Sequence, residues 1–136
     1  MTLNEFVETH DVDCTKNIIQ NLMLLGEVER ELDIKIGQKT MEYIVKYGYL
    51  GYKSVELYGI NSRQGMKSDM VKQTEYLHKY FPATRGYLAI ENQGDGDYYL
   101  VDSKDVVYEY DSEKNELSPT NLTLFDYIVS RFQAED

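Results

Sequence analysis

The sequence predicts an α+β domain with a mainly antiparallel sheet, flanked by N-terminal helices and a C-terminal helix, on three observations. Apolar residues recur at helical spacing from Thr15 to Tyr47 and again from Val71 to Phe81. The period then shortens to two between residues 87 and 110, around a Gly-Asp-Gly-Asp turn. A last apolar set, Phe125, Ile128, Val129 and Phe132, returns to i, i+3, i+4, i+7 spacing. A chain of 136 residues without a repeat, a low-complexity tract or a Pro/Ser-rich linker is expected to form one domain over residues 1–136.

Taken in order, Thr15 to Leu25 sets Ile18, Leu22 and Leu25 on one helical face with Ile19 and Met23 beside it, and Gly26 is a candidate stop. Val28 and Leu32 stand one turn apart in a second short helix over 27–34. Gln38 to Tyr47 carries Met41, Ile44, Val45 and Tyr47 at helical spacing, and Gly48 suits the left-handed conformation that closes a helix. Ser54 to Ile60 alternates as a strand, and 61–67 is polar loop. Ser68 is an N-cap candidate for a helix through Tyr80, with Val71, Thr74, Leu77 and Phe81 buried and Pro82 ending it.

Residues 87–91 and 98–102 read as two strands of a hairpin whose turn, Gln93 to Asp97, holds two glycines able to take positive φ. Val106 to Tyr110 follows as a third strand and Asp111 to Glu116 as an exposed loop or turn. Thr123-Leu124-Phe125-Asp126 has the form of a capping box, with Asp in the place of Glu, and opens the terminal helix.

Composition excludes several classes of function. Acids outnumber bases 24 to 14, a formal charge of −10, so the Coulomb attraction that dominates non-specific binding to nucleic acid or to an anionic membrane has the wrong sign. The start of the chain carries Glu5, Glu8, Asp11 and Asp13 without the basic flank of a signal peptide, and no apolar run reaches the roughly 18 residues of a membrane span. One cysteine, Cys14, precludes an internal disulfide and fits a reducing compartment, so a cytoplasmic protein is expected.

The sequence offers little for catalysis. Glu75 and His78 stand one turn apart, but a metal site needs three or four ligands and no second cluster is visible. Cys14 has only Lys16 nearby, where a reactive thiolate needs an electropositive setting. Asn92, Gly94-Asp95-Gly96-Asp97 and Asp102 offer oxygens for calcium, yet their spacing is not that of an EF-hand loop and a hairpin turn accounts for them. With no phosphate loop, nucleophile elbow or dinucleotide fingerprint, neither an enzyme nor a cofactor is expected.

The segment from Val28 to Gly48 resembles the opening motif of the SUKH superfamily, with Val28, Glu29, Leu32, Ile36, Tyr43, Ile44 and Gly48 in the motif's places. Glu56 to Ile60, the strand with Ile90, the Gly94 to Asp97 turn and the helix from Phe125 to Phe132 extend the likeness over about residues 27–133. Gly37 stands where the family usually has Pro, and Thr40 where it usually has an aromatic. The resemblance implies a non-enzymatic binding module: an immunity protein that neutralises a cognate toxin, often a nuclease, in the cytoplasm, or alternatively a scaffold or regulatory domain of the cell-wall regulator type. A metal-dependent hydrolase is a distant third reading.

Charge segregation points to a surface for such a partner. Residues 1–33 sum to −6, residues 34–90 to +5 and residues 91–136 to −9. In the last segment the carboxylates of Asp95, Asp97, Asp102, Asp105, Glu109 and Asp111 interleave with Tyr98, Tyr99, Tyr108 and Tyr110. Tyrosine brings a large ring with few rotatable bonds, and carboxylates steer a basic partner. These ten residues form the expected face for a toxin with a basic surface. The competing expectation is that the carboxylates serve solubility and the tyrosines fill a half-exposed sheet.

Overall fold

A computed structural model describes residues 1–15, 17–60 and 69–136. The expected loop over 61–67, the Ser68 cap and Lys16 lie outside the described residues. Among the described residues, five α-helices and two antiparallel sheets make an α+β fold. The elements are α1 (Leu3–Thr9), β1 (Asp13–Cys14), α2 (Ile18–Leu32), α3 (Gln38–Lys46), β2 (Leu50–Tyr52), β3 (Val55–Glu56) and α4 (Met70–Tyr80). There follow β4 (Leu88–Gly94), β5 (Asp97–Val101), β6 (Val106–Asp111), β7 (Glu116–Thr123) and α5 (Leu124–Gln133). Strands β1-β2-β3 form a small sheet and β4-β5-β6-β7 a larger meander, each antiparallel throughout.

Several expectations need correction. The two short N-terminal helices are one, α2, which runs through Gly26 and ends at Asp33 in the left-handed conformation, φ 49°. Its buried stripe is Asn21, Leu25, Val28 and Leu32, while Ile18, Ile19, Leu22 and Met23 are exposed. Asn21 decides that phase: its amide donates to the carbonyls of Thr15 and Val45, at 3.3 Å each, and fastens α2 to the end of α3.

The expected strand over 54–60 shortens to Val55–Glu56 because the residues beyond it serve different partners. Leu57 N–H donates to the Leu50 carbonyl, Tyr58 N–H to Ile90 and Ile60 N–H to Gly48, and all three side chains are buried. The turn expected over Asp111 to Glu116 is narrower, with Asp111 closing β6 and Glu116 opening a further strand, β7; its Pro119 is tolerated because β7 is the edge of the sheet. Gly48 takes φ 69° as its position after α3 required. In α4 the cap is Asp69, whose carboxylate accepts from the N–H groups of Val71 and Lys72. Thr123 starts α5, but its hydroxyl bonds the Asp126 carboxylate at 3.2 Å and caps no backbone amide.

The start of α3 is held from a distance. Gly37, its N-cap, has no side chain, and the place is taken by Asp105 from the β5–β6 turn. Its carboxylate accepts from Lys39 N–H (3.1 Å), Thr40 N–H (2.9 Å) and the Thr40 hydroxyl (2.7 Å). A Cβ on residue 37 would stand 2.3 Å from Asp105 Oδ1.

Tyrosine builds much of the interior. Tyr43, Tyr47, Tyr49, Tyr52, Tyr58, Tyr110 and Tyr127 are buried, and only Tyr76 and Tyr80 are widely exposed. The hydroxyls find partners: Tyr43 donates to the Tyr58 carbonyl (2.7 Å), Tyr110 to Asn115 (2.5 Å) and Tyr52 to Asp136 (2.5 Å).

Two predictions follow from these contacts. Asp105→Ala should lower unfolding free energy by about 3 kcal/mol, since it removes a helix cap and strands two amides. Gly37→Ala should be destabilising in the native background and close to neutral in the Asp105→Ala background, a coupling readable in a urea double-mutant cycle. Burial pushes Tyr47 and Tyr99 up to about 12, and Tyr43, Tyr58 and Tyr127 higher still. Unfolded tyrosines ionise near 10, so their contribution is intact below about pH 10 and is lost as pH rises through the folded values. Denaturation midpoints should therefore fall above pH 10, with tyrosinate absorbance rising as the chain unfolds.

Candidate interaction surface

The larger sheet has two helix-covered faces, and strand alternation divides the ten candidate residues between them. Register places Tyr98 opposite Tyr110, and Leu100 opposite Tyr108. This face lies under α4: Thr74 accepts from Ala89 N–H at 2.9 Å, and the Phe81 and Tyr110 rings meet edge to face at 5.7 Å. Tyr110 is fully buried, so its expected place in a contact surface is wrong; its ring belongs to the core. Tyr108 is half-buried against Tyr87, and Tyr98 is half-buried at the rim.

The opposite face carries Tyr99 opposite Glu109 and Asp97 opposite Asp111, and it lies under α5. Along the strands its chemistry is graded. Leu88, Val101 and Val107 are buried apolar residues at one end. In the middle, Glu91 is 3% exposed and fully engaged. Arg131 grips it in a fork, Nε to Oε1 at 3.0 Å and Nη2 to Oε2 at 2.7 Å, and the Tyr127 hydroxyl donates to Oε1 at 2.6 Å. Gln93 closes the group by donating to the Tyr127 oxygen at 3.0 Å. Burial, then the charge of Glu91, drives Tyr127 ionisation far above its ordinary range, while the Glu91 hydrogen bond holds Arg131 protonated. Beside it, Tyr99 stacks on Tyr127 at 5.2 Å and donates to Glu109 at 2.8 Å.

At the far end stand carboxylates without a counter-charge. Asp97 pairs in register with Asp111, and Asp111 with Glu116, so three acids from three adjacent strands share one face. Among the described residues no salt bridge neutralises any of them. Like charges directly opposite cost a few tenths to about 1 kcal/mol per pair. Asp95, exposed at the tip of the β4–β5 turn with φ 53°, adds a fourth charge nearby in the chain.

Three of the expected contact acids have a role in the fold. Asp105 caps α3. Asp102 accepts from Lys104 and Val106 N–H groups and shapes its own turn, and Asp111 does the same for Glu113 and Lys114. Asp111 thus both closes a turn and contributes charge to the row.

A polar cleft of about 530 Å³ opens beside Glu91 and Arg131, walled by Ser54, Glu56, Tyr58 and Gln73. The exposed aromatics escaped the sequence reading: Tyr76 and Tyr80 pair at 5.0 Å on the outer face of α4, one turn apart, the spacing that could have revealed them. His78 Nε2 lies 2.8 Å from the Tyr87 carbonyl, so the ring donates there and ties α4 to the chain entering β4. Asn92 Oδ1 accepts from Gly94 N–H. Cys14 is buried in β1. Among the described residues no three His, Cys, Asp or Glu side chains are grouped to hold a metal, and no helix is long and apolar enough to cross a membrane.

The Glu91 cluster generates its own test. Arg131→Met leaves a buried carboxylate without its counter-charge and should cost about 3 kcal/mol, whereas Tyr127→Phe should cost about 1 kcal/mol. Urea unfolding of both variants measures the two values.

Compared with known proteins, residues 16–133 match the family model described as SMI1-KNR4 cell-wall. No curated protein matches the chain.

Proposed function

This chain belongs to the SMI1-KNR4 family, part of the SUKH superfamily, and from that membership we propose that it is a non-enzymatic binding module of the immunity type. It acts in the cytoplasm by binding a toxin with a basic surface, a nuclease being the natural case, and covering the active site or an adjoining exosite. No bond is made or broken by this chain, and no cofactor takes part.

The observation that supports this reading is the row Asp97, Asp111 and Glu116. The fold tolerates three adjacent like charges without a counter-ion among the described residues, at a cost to its own stability. A basic partner removes that cost on docking and is drawn to it over distance. Half-buried Tyr99, two residues along β5 from Asp97 and on the same face, flanks the row with rigid aromatic surface.

Co-expression with a candidate toxin, sought among the products of neighbouring genes, should rescue growth and yield a stoichiometric complex whose affinity falls with salt. A complex without rescue identifies the scaffold-type activity that the family also includes; neither complex nor rescue sinks the proposal. The row makes a sharper prediction. Asp97→Asn combined with Glu116→Gln should raise the thermal midpoint slightly at low salt, by relieving repulsion, while weakening toxin binding and flattening its salt dependence. Unchanged affinity together with an unchanged salt slope would show that the partner docks elsewhere.

A further inference from the structure

Helix α2 presents apolar side chains on two faces, and only one faces the core. On the other, Ile19, Leu22, Met23 and Gly26 follow i, i+3, i+4, i+7, with Ile18 at the flank. Ile19 is 77% exposed, Met23 74% and Leu22 59%. Gly26 belongs to the same ridge. A Cβ there would meet nothing within 4 Å, so no contact within the chain requires glycine. A glycine inside an exposed helix forgoes the stability alanine would give. What it provides is a notch through which a second helix can come close.

We propose that this ridge is a self-docking surface, on which α2 of a second copy packs antiparallel about a two-fold axis passing between Leu22 and Met23. That register is the one in which the ridge complements itself. Ile19 of each copy enters the Gly26 notch of the other, and Leu22 lies against Met23. Charge favours the same direction. Residues 18–26 of α2 carry no charge, while Glu27, Glu29, Arg30 and Glu31 crowd its C-terminal part. An antiparallel pair sets Glu27 over Ile18, where a parallel pair would bring the glutamates of both copies together.

The area fixes the strength. At about 100 Å² per large aliphatic side chain, the ridge offers about 400 Å² per copy, so two ridges with their polar rims reach only the lower bound, near 1,000 Å², of a specific interface. The dimer is therefore weak and concentration-dependent. With −10 on each copy it tightens as salt rises, opposite in sign to the salt response of toxin binding. The two surfaces therefore succeed or fail separately.

Sedimentation of the full chain at low and high salt tests the proposal. A monomer–dimer equilibrium that strengthens with salt is expected, with Leu22→Glu weakening it at least about tenfold while leaving the circular dichroism spectrum unchanged. Gly26→Ala should raise the thermal midpoint of the monomer yet weaken the dimer, a pairing of effects that a merely structural glycine would not give. The double variant Ile19→Cys, Gly26→Cys should form an intermolecular disulfide under mild oxidation, since within one helix those positions lie two turns apart, beyond disulfide reach. A monomer at every concentration overturns the proposal. So does a dimer indifferent to Leu22→Glu, or a ridge that captures a different protein while the chain stays monomeric.

Discussion

The Asp105 carboxylate ties the two halves of the fold together. Its side chain caps α3, more than sixty residues earlier in the chain, and its carbonyl accepts the N–H of Leu124, the first residue of α5. One residue, held at φ 64° in the left-handed conformation, thereby fixes where two helices begin. Both departures from the family pattern belong to this contact. A proline ring at position 37 would begin with a Cβ in the space the carboxylate fills, and an aromatic at position 40 would replace the hydroxyl that donates to it. Gly37 and Thr40 are thus two parts of one adjustment to Asp105.

Tyrosine has a related role. A chain with no tryptophan and four phenylalanines fills its interior with phenol rings, whose hydroxyls would be costly if left unpaired. Each such hydroxyl becomes a tether: Tyr43 to the segment before α4, Tyr110 to the β6–β7 turn, Tyr127 to the buried Glu91. The excess of tyrosine that suggested an interface is in large part architecture. Only Tyr76, Tyr80 and the half-buried rings at the sheet rim remain for contact.

What the sequence disclosed was local. Helix α3 with Gly48 at its end, the β4–β5 hairpin and the terminal helix are written in short-range spacing, and they appear where that spacing puts them. Burial phase was less legible, because α2 has two apolar stripes and its core stripe is set by a polar residue, Asn21. β7 was hidden by Pro119, which only its edge position permits. The roles of Asp102 and Asp111 were readable in principle, since an aspartate opening a polar turn is the residue that binds backbone two or three positions on. Read as charge alone, both were assigned to a partner.

That correction sharpens the candidate site. Once Asp102 and Asp105 are counted as caps, Glu109 as the acceptor for Tyr99, and Glu91 as neutralised by Arg131, the carboxylates of this segment divide by whether the fold uses them. Asp97 and Glu116 have no such use among the described residues, and Asp111 sits between them in register. Cross-strand repulsion along this row costs stability, and for Asp97 and Glu116 no contact among the described residues offsets it. Unneutralised charge is thus concentrated at the end of this face away from the apolar Leu88, Val101 and Val107.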